Sequence, residues 1–160
     1  IWLGVSVENQ ARAAERIPWL LKTPAAVRFL SVEPLLGPVI LSQEWRDYLV
    51  GWETESEHGE HDKRGNCIGC PVPVQVQTER VSWVISGGES GGPPERALVT
   101  KDEGRWWPLA DKYKWVQSLR EQCVAASVPF FFKQWGGPTA KSGGRVLDGR
   151  TWDEFPESRP

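Results

Sequence analysis

Three glutamates and a lysine stand at the ends of four short apolar segments and are the strongest candidates for chemistry in this chain. If the four segments are strands of one parallel sheet, their carboxyl ends lie on one side and these groups converge there. Three carboxylates and a lysine could bind an amino-bearing or cationic ligand, hold a metal ion or exchange protons. The four segments end in Ser6-Val7-Glu8, Ser31-Val32-Glu33, Ser86-Gly87-Gly88-Glu89 and Lys133-Gln134.

The glycine-rich stretch 86–92 holds one carboxylate, that of Glu89, among backbone groups with little side-chain cover. Glycine permits positive φ and lets a ligand approach the backbone closely. A strand followed by such a loop is typical of a ligand site at the carboxyl edge of an α/β sheet. The alternative is a tight turn from which Glu89 faces solvent.

A purely structural role is also open for the other charged groups. Glu8 and Glu33 could cap the turns that follow them, and Lys133 could pair with one acid and neutralise it. Because buried like charges raise each other's pKa, some pairing is expected under either interpretation. Two converging carboxylates could also serve hydrolysis of a glycosidic bond.

The elements that must position these groups can be predicted from the pattern of apolar residues. Strands are predicted over residues 1–7, 25–32, 81–85 and 127–132. Asn9 is a suitable N-cap for a helix that continues to Arg16, and Pro18 is expected to interrupt that helix. A second helix is predicted from about 111 to 126, with Cys123 packed in the core. Residues 94–108 are expected to be irregular, and the Asp148-Gly149 pair predicts a small hairpin.

This order of elements predicts an α/β domain with a parallel sheet. Four such strands correspond to half of an eight-stranded barrel, so we expect one domain over residues 1–160, the carboxyl-terminal half of a TIM-like barrel. The chain begins at Ile1, inside an apolar segment, and contains no methionine. We therefore expect it to be part of a longer reading frame, whose amino-terminal half would be its partner.

Composition narrows the class of protein. The formal net charge of −2 gives no basic footprint for nucleic-acid backbones. No apolar run approaches the roughly 18 residues of a membrane span. Three cysteines, an odd number, argue against a disulfide framework and favour the cytoplasm. The chain has no G-x-S-x-G elbow, no P-loop and no G-x-G-x-x-G motif.

Residues 51–79 form a polar insertion between the second and third predicted strands. It contains His58, His61, Cys67 and Cys70, two short-spaced pairs that could supply four tetrahedral zinc ligands. The loop between the pairs is tight for a zinc finger, so a solvated loop with incidental His and Cys is the alternative. These cysteines are not the three-cysteine set of a catalytic iron–sulfur cluster.

Six segments together resemble the carboxyl-terminal half of a phage and prophage protein family with a radical-SAM-like organisation. The segments are IWLGVSVENQ, RIPWLL, AVRFLSVEPLLGPV, VSWVISGGESG, VPFFFKQWGG and RVLDGRTWDEFP. The resemblance covers nearly the whole chain apart from the insertion and the tip of the carboxyl-terminal tail. It implies a partial (β/α) barrel in the cytoplasm of a bacterial host, whose amino-terminal half carries a three-cysteine motif, a [4Fe–4S] cluster and S-adenosylmethionine.

The resemblance also implies roles for the residues at the strand ends. Glu33, Glu89 and Lys133 would be the catalytic residues of the full-length protein. The cofactor-binding residues would be Ser31, Gly87, Gly88, Ser90 and Gln134. Because the cluster-binding cysteines are absent from this chain, it should not perform radical chemistry alone.

Three functions therefore stand as hypotheses. The first is the substrate- and cofactor-lining half of a radical-SAM-like enzyme whose substrate the sequence does not reveal. The second is a non-catalytic binding module with a structural zinc site in the insertion. The third is a hydrolase that uses a pair of carboxylates and needs no iron.

Overall fold

The computed structural model describes residues 1–41 and 80–157. The insertion over residues 51–79, with its four candidate zinc ligands, lies outside the described residues. The described elements, in chain order, are β1 (Trp2–Ser6), α1 (Gln10–Lys22), β2 (Val27–Val32), β3 (Trp83–Gly87), a 3₁₀ turn (Pro94–Arg96), β4 (Val99–Asp102), β5 (Arg105–Pro108), α2 (Ala110–Ala125) and β6 (Phe130–Gln134).

Four of these strands form one parallel sheet in the order β1-β2-β3-β6. The prediction of an α/β fold with four parallel strands is confirmed. Each strand lies beside the next one of the same sheet along the chain, and the order has no reversal. The described strands form an open sheet and do not close into a barrel. In the same ranges, no helix has the length and apolar character needed to cross a membrane.

One face of the sheet packs against both helices and forms the core. The register aligns Leu30 with Val84 and Phe130, so these three side chains point to the same face. All three are fully buried in one cluster with residues of both helices. The helix residues of this cluster are Ala13, Ile17, Leu20, Leu21, Val116, Leu119 and Cys123. The predicted core position of Cys123 is confirmed.

The opposite face of the sheet carries a separate aromatic cluster. Trp83 lies at its centre, with ring centroids of Phe29 and Phe131 at 5.8 and 6.2 Å. Trp2 and Phe155 complete the cluster at 6.0 and 5.1 Å from Trp83. The core cluster that includes both described helices takes its residues of the parallel sheet from the other face only, so neither helix packs on the aromatic face.

Two predicted elements differ from the structure. Helix α1 continues through Pro18, so the predicted interruption is wrong. Proline removes one backbone hydrogen bond, whereas Ile17, Leu20 and Leu21 bury their side chains on both sides of it and hold the helix together. The predicted irregular stretch over 94–108 contains the hairpin β4–β5.

The two outer edges of the sheet differ. Along β6, Phe132 N donates to Trp152 O at 2.9 Å and Glu154 N donates to Phe130 O at 3.3 Å. The chain that follows the predicted hairpin therefore covers this edge. The hairpin itself is confirmed by the bridge between Leu147 and Arg150 and by positive φ at Asp148 and Gly149. At the other edge, β1 pairs only with β2 among the described residues.

Candidate functional site

Glu33 and Lys133 form an ion pair at the carboxyl edge of the parallel sheet. Lys133 Nζ lies 3.0 Å from Glu33 Oε1 and 3.1 Å from Oε2. Glu33 directly follows β2 and Lys133 belongs to β6, so the pair bridges over β3, which lies between them. The side chains are 20% and 53% exposed, which leaves the pair within reach of a ligand. The sheet thus brings together two predicted site residues 100 positions apart in sequence.

Gly87 lies directly against this ion pair. A Cβ atom at Gly87 would lie 3.4 Å from both Glu33 Cδ and Lys133 Cβ. A methyl group at these distances would make ordinary van der Waals contact, whereas a longer side chain at this position of β3 would crowd the ion pair. Gly87, predicted as a cofactor-binding position, therefore lies in contact distance of both Glu33 and Lys133.

Backbone hydrogen bonds fix the chain that carries Glu33. After the cis Glu33–Pro34 peptide, Leu35 N donates to Gly87 O at 3.0 Å. Leu36 N donates to Glu8 O at 2.7 Å. The loop after β2 is thereby tied to the ends of both neighbouring strands, and Glu33 projects from a fixed backbone.

The glycine loop after β3 packs backbone to backbone against the chain after β6. A Cβ at Gly88 would lie 2.1 Å from Trp135 O, so the two backbones can approach only because Gly88 has no side chain. Gln134 Nε2 donates to Ser90 Oγ at 2.8 Å and to Gly88 O at 3.3 Å. The structure therefore brings Gly88, Ser90 and Gln134 together beside the ion pair.

Ser31 lies in β2, two residues before Glu33, and is partly buried. The register aligns it with Ser6 on one side and Ile85 on the other. It therefore belongs to the sheet face that carries the aromatic cluster, below the carboxyl edge.

Glu89 and Glu8 each have a cation of their own. Glu89 Oε2 lies 2.9 Å from Arg96 Nε, and the carboxylate folds back over Gly92. The two atoms are in contact without a well-aligned hydrogen bond, since both are buried and lack a hydrogen-bond partner within 1–41 and 80–157. Glu8 binds Arg16 Nη1 with both oxygens, at 3.1 and 3.2 Å. In the described part of the chain, neither acid forms an ion pair with Lys133.

Arg16 and Arg96, the cations that pair with these two acids, were not among the predicted site residues. Arg16 follows Glu8 by eight residues, on the helix that begins at Gln10, and Arg96 follows Glu89 by seven, in the 3₁₀ turn. Helix α1 follows β1 directly and runs back along it, which brings residues of the first turns of the helix close to the end of the strand. Arg16 could have been predicted from this strand-to-helix connection.

The described residues contain no candidate metal centre. Within 1–41 and 80–157, no three His, Cys, Asp or Glu side chains are close enough to share a metal ion. His58, His61, Cys67 and Cys70 fall outside those ranges, and their binding of zinc stays a prediction.

Comparison with protein families places the chain in one of them. A family model described as a protein of unknown function, DUF5131, matches residues 1–156, and the chain belongs to this family. Neither the search of curated proteins nor that of solved structures found a match. Membership of an uncharacterised family is thus established, whereas the phage origin and the radical-SAM-like organisation stay predictions.

Proposed function

We propose that this chain forms the substrate- and cofactor-lining part of a radical-SAM-like (β/α) protein, with Glu33 and Lys133 as its ligand-binding charges. The observation that carries the proposal is their ion pair across Gly87 at the carboxyl edge of a parallel sheet. Sites of α/β sheets lie at this edge. The phage or prophage origin and the cytoplasmic location implied by the resemblance are part of the same proposal.

The arrangement of the sheet supports the partial barrel. Strands in sequential order with both described helices on one face are the layout of an arc of a (β/α) barrel. The opposite, aromatic face would line the interior. Because the chain over 152–154 covers β6, a further strand would pair at β1, and the arc would be extended from that side.

Glu33 and Lys133 suit a ligand that carries both an ammonium and a carboxylate group. A partly exposed ion pair contributes little net stability, so exchanging its partners costs little. Glu33 would accept hydrogen bonds from the ligand's ammonium group, and Lys133 would donate to its carboxylate. The amino-acid end of S-adenosylmethionine has these two charges. The nearby backbone of Gly87 and Gly88 would let the rest of such a ligand lie close to the sheet.

The described residues do not fit an iron–sulfur cluster. Clusters are held by several cysteine thiolates. The described part of the chain contains one cysteine, Cys123, whose side chain is fully buried between α2 and the sheet. In this proposal the cluster belongs to an amino-terminal partner segment with the three-cysteine motif, and residues of this chain hold and orient the ligand beside it.

The ion pairs favour ligand binding over a hydrolytic pair of carboxylates. Glu8, Glu33 and Glu89 each contact a different cation. The two carboxylates of a hydrolytic pair flank one glycosidic bond, whereas each of these three acids is held by a cation of its own.

The test uses the protein from its complete reading frame, prepared without oxygen and with its cluster reconstituted. We expect it to bind S-adenosylmethionine and to release 5′-deoxyadenosine on reduction. Glu33→Gln and Lys133→Met should each weaken binding of S-adenosylmethionine about 10-fold or more, since a charge-assisted hydrogen bond contributes about 1.5–3 kcal/mol. Equilibrium dialysis measures the affinity.

Glu95→Gln and Lys22→Met are the matched controls, because both residues are exposed and lie outside the strand-end site. That site consists of Glu33, Gly87, Gly88, Ser90, Lys133 and Gln134. They should bind S-adenosylmethionine as the wild type does. Two results would contradict the proposal: wild-type affinity in both site variants, or no cleavage of S-adenosylmethionine by a protein that contains its cluster.

A further inference from the structure

A cavity of about 700 Å³ lies outside the strand-end site. It is open to solvent on one side and is lined by the β4–β5 hairpin, the first two turns of α2 and the chain over 143–149. Ala110, Tyr113, Lys114 and Gln117 line it from one face of α2, at the spacing of successive helical turns. None of Glu33, Glu89, Lys133 or Gln134 contributes to the cavity, and its size is that of a small-molecule site.

Aromatic rings line this cavity and are held in place. Tyr113 stacks on Trp135 with 5.3 Å between ring centroids and 13° between ring planes. The Tyr113 hydroxyl donates to Asp148 Oδ1 at 2.7 Å, and Trp135 Nε1 donates to Val146 O at 2.9 Å. Trp107 also lines the cavity, and 51% of its surface is exposed. Tyr113 and Trp135 therefore form a wall whose orientation is largely set before any ligand binds, and Trp107 adds an exposed ring on which a flat group could stack.

The charges around the cavity leave one cation for a ligand. Asp148 is occupied, because Tyr113 bonds one oxygen and Arg120 Nη2 lies 2.8 Å from the other. Arg145 is paired with Asp153. Lys114 forms no ion pair or hydrogen bond with any residue in 1–41 or 80–157. An anionic group near Lys114 would thus meet an ammonium that no described acid neutralises.

We propose that this cavity binds a free nucleoside monophosphate. Its base would stack on Trp107 in the aromatic part of the cavity, and its phosphate would pair with Lys114. The side-chain amide of Gln117, one helical turn from Tyr113, can donate to and accept from the edge of a base. Stacking on aromatic side chains suits any base, since every base has a π face.

A free nucleotide fits better than a nucleic-acid strand. Proteins that bind single strands combine stacking rings with a basic groove that follows the backbone. This chain has a formal net charge of −2, and the other cation lining the cavity, Arg145, is occupied by Asp153. The cavity supplies one ammonium for one phosphate. The inference is independent of the proposed function, because the two sites share no side chain.

Isothermal titration of the full-length protein with AMP and with GMP tests the inference. We expect saturable binding of one nucleotide per chain. Trp107→Ala should weaken it by about 5- to 150-fold, which corresponds to the 1–3 kcal/mol that one stacked base contributes. Trp107→Phe should retain most of the affinity. Lys114→Gln should weaken binding of AMP and leave the weaker binding of adenosine unchanged.

Trp19→Ala and Lys22→Gln are matched controls on the exposed surface of α1 and should bind AMP normally. Several outcomes would overturn the inference. One is absence of AMP and GMP binding at millimolar concentration. Another is ribose 5-phosphate binding as tightly as AMP. A third is loss of AMP binding in Glu33→Gln, which would place the nucleotide at the strand ends. Much tighter binding of an oligonucleotide than of AMP would replace the free nucleotide by a nucleic-acid strand.

Discussion

Cys123 shows how one residue's position in the core sets its chemistry. Its side chain is fully buried on α2, and burial raises the pKa of its thiol well above the ordinary value. The unfolded chain, with a cysteine pKa near 8.5, therefore loses this proton first as the pH rises. The stability that the neutral thiol contributes is fully present below about pH 8.5 and is lost progressively as the pH rises toward the folded pKa.

We expect the free energy of unfolding of the wild type to fall by about 1 kcal/mol more than that of Cys123→Ala between pH 7.5 and 9.5. Urea denaturation at the two pH values measures the difference. The other titrating groups are the same in both proteins, so their contribution cancels in the difference between wild type and variant. Parallel pH profiles for the two proteins would show that the thiol is accessible to water in the folded state.

At the candidate site, the charged residues could be predicted from the sequence, but the ion-pair partners of some of them could not. The serine-to-glutamate endings and the lysine of the last strand mark the carboxyl edge, and Glu33 and Lys133 meet there. Glu89 turns toward Arg96 because Gly92 leaves room for its carboxylate. The direction of the Glu89 side chain thus depends on the space beside Gly92, which the spacing of residues in the sequence does not reveal.

At the scale of elements, α1 shows packing overriding a local signal. Pro18 favours a break, yet the helix spans Gln10–Lys22 because Ile17, Leu20 and Leu21 are buried against the sheet. The β4–β5 hairpin shows the reverse problem. Its strands have four residues each and are mostly exposed, and neither VTKD nor RWWP shows the alternation of apolar and polar residues by which strands are predicted. Positive φ at Glu103 and Gly104 forms the turn between them.

Pro18→Ala should stabilise the protein by about 2 kcal/mol. Alanine restores the backbone donor to Ala14 O and removes the cost of about 3 kcal/mol for an interior proline, while the more flexible unfolded chain returns about 1 kcal/mol. Pro18 is exposed, so the replacement leaves the core unchanged. Thermal and urea denaturation measure the gain.

Pro24→Ala is the control for this change, because Pro24 lies beyond the end of α1 at Lys22 and costs the helix nothing. It should not stabilise the protein. If Pro18→Ala is also no more stable than the wild type, the proline sets a bend that Leu20 and Leu21 need in order to pack.

For the whole molecule, the sequence allowed the parallel sheet to be predicted and left its closure open. Apolar segments and their crossovers determine the order of the strands. Whether an arc continues depends on what covers each edge. The chain over 152–154 covers β6 through backbone hydrogen bonds, which have no signature in side-chain patterns. This coverage makes β1 the edge at which the sheet could be extended.

Hydrogen exchange of the backbone amides in β1 tests that conclusion. Val7 N donates to Ser31 O at 2.8 Å, and the N–H groups of a strand alternate in direction, so those of Leu3 and Val5 also face β2. The amides of Gly4 and Ser6 face away from it. In the chain of residues 1–160, Leu3, Val5 and Val7 should exchange slowly, whereas Gly4 and Ser6 should exchange fast.

The amides of Gly4 and Ser6 also report whether a further strand pairs with β1 in a longer protein. If an amino-terminal segment supplies the next strand, as the proposed barrel requires, Gly4 and Ser6 become protected in the longer protein and Leu3 and Val5 change little. Slow exchange of Gly4 and Ser6 already in the 160-residue chain would mean that this edge is covered by another part of the chain or by a second copy. A dilution series separates these two cases, since only pairing between copies weakens with concentration.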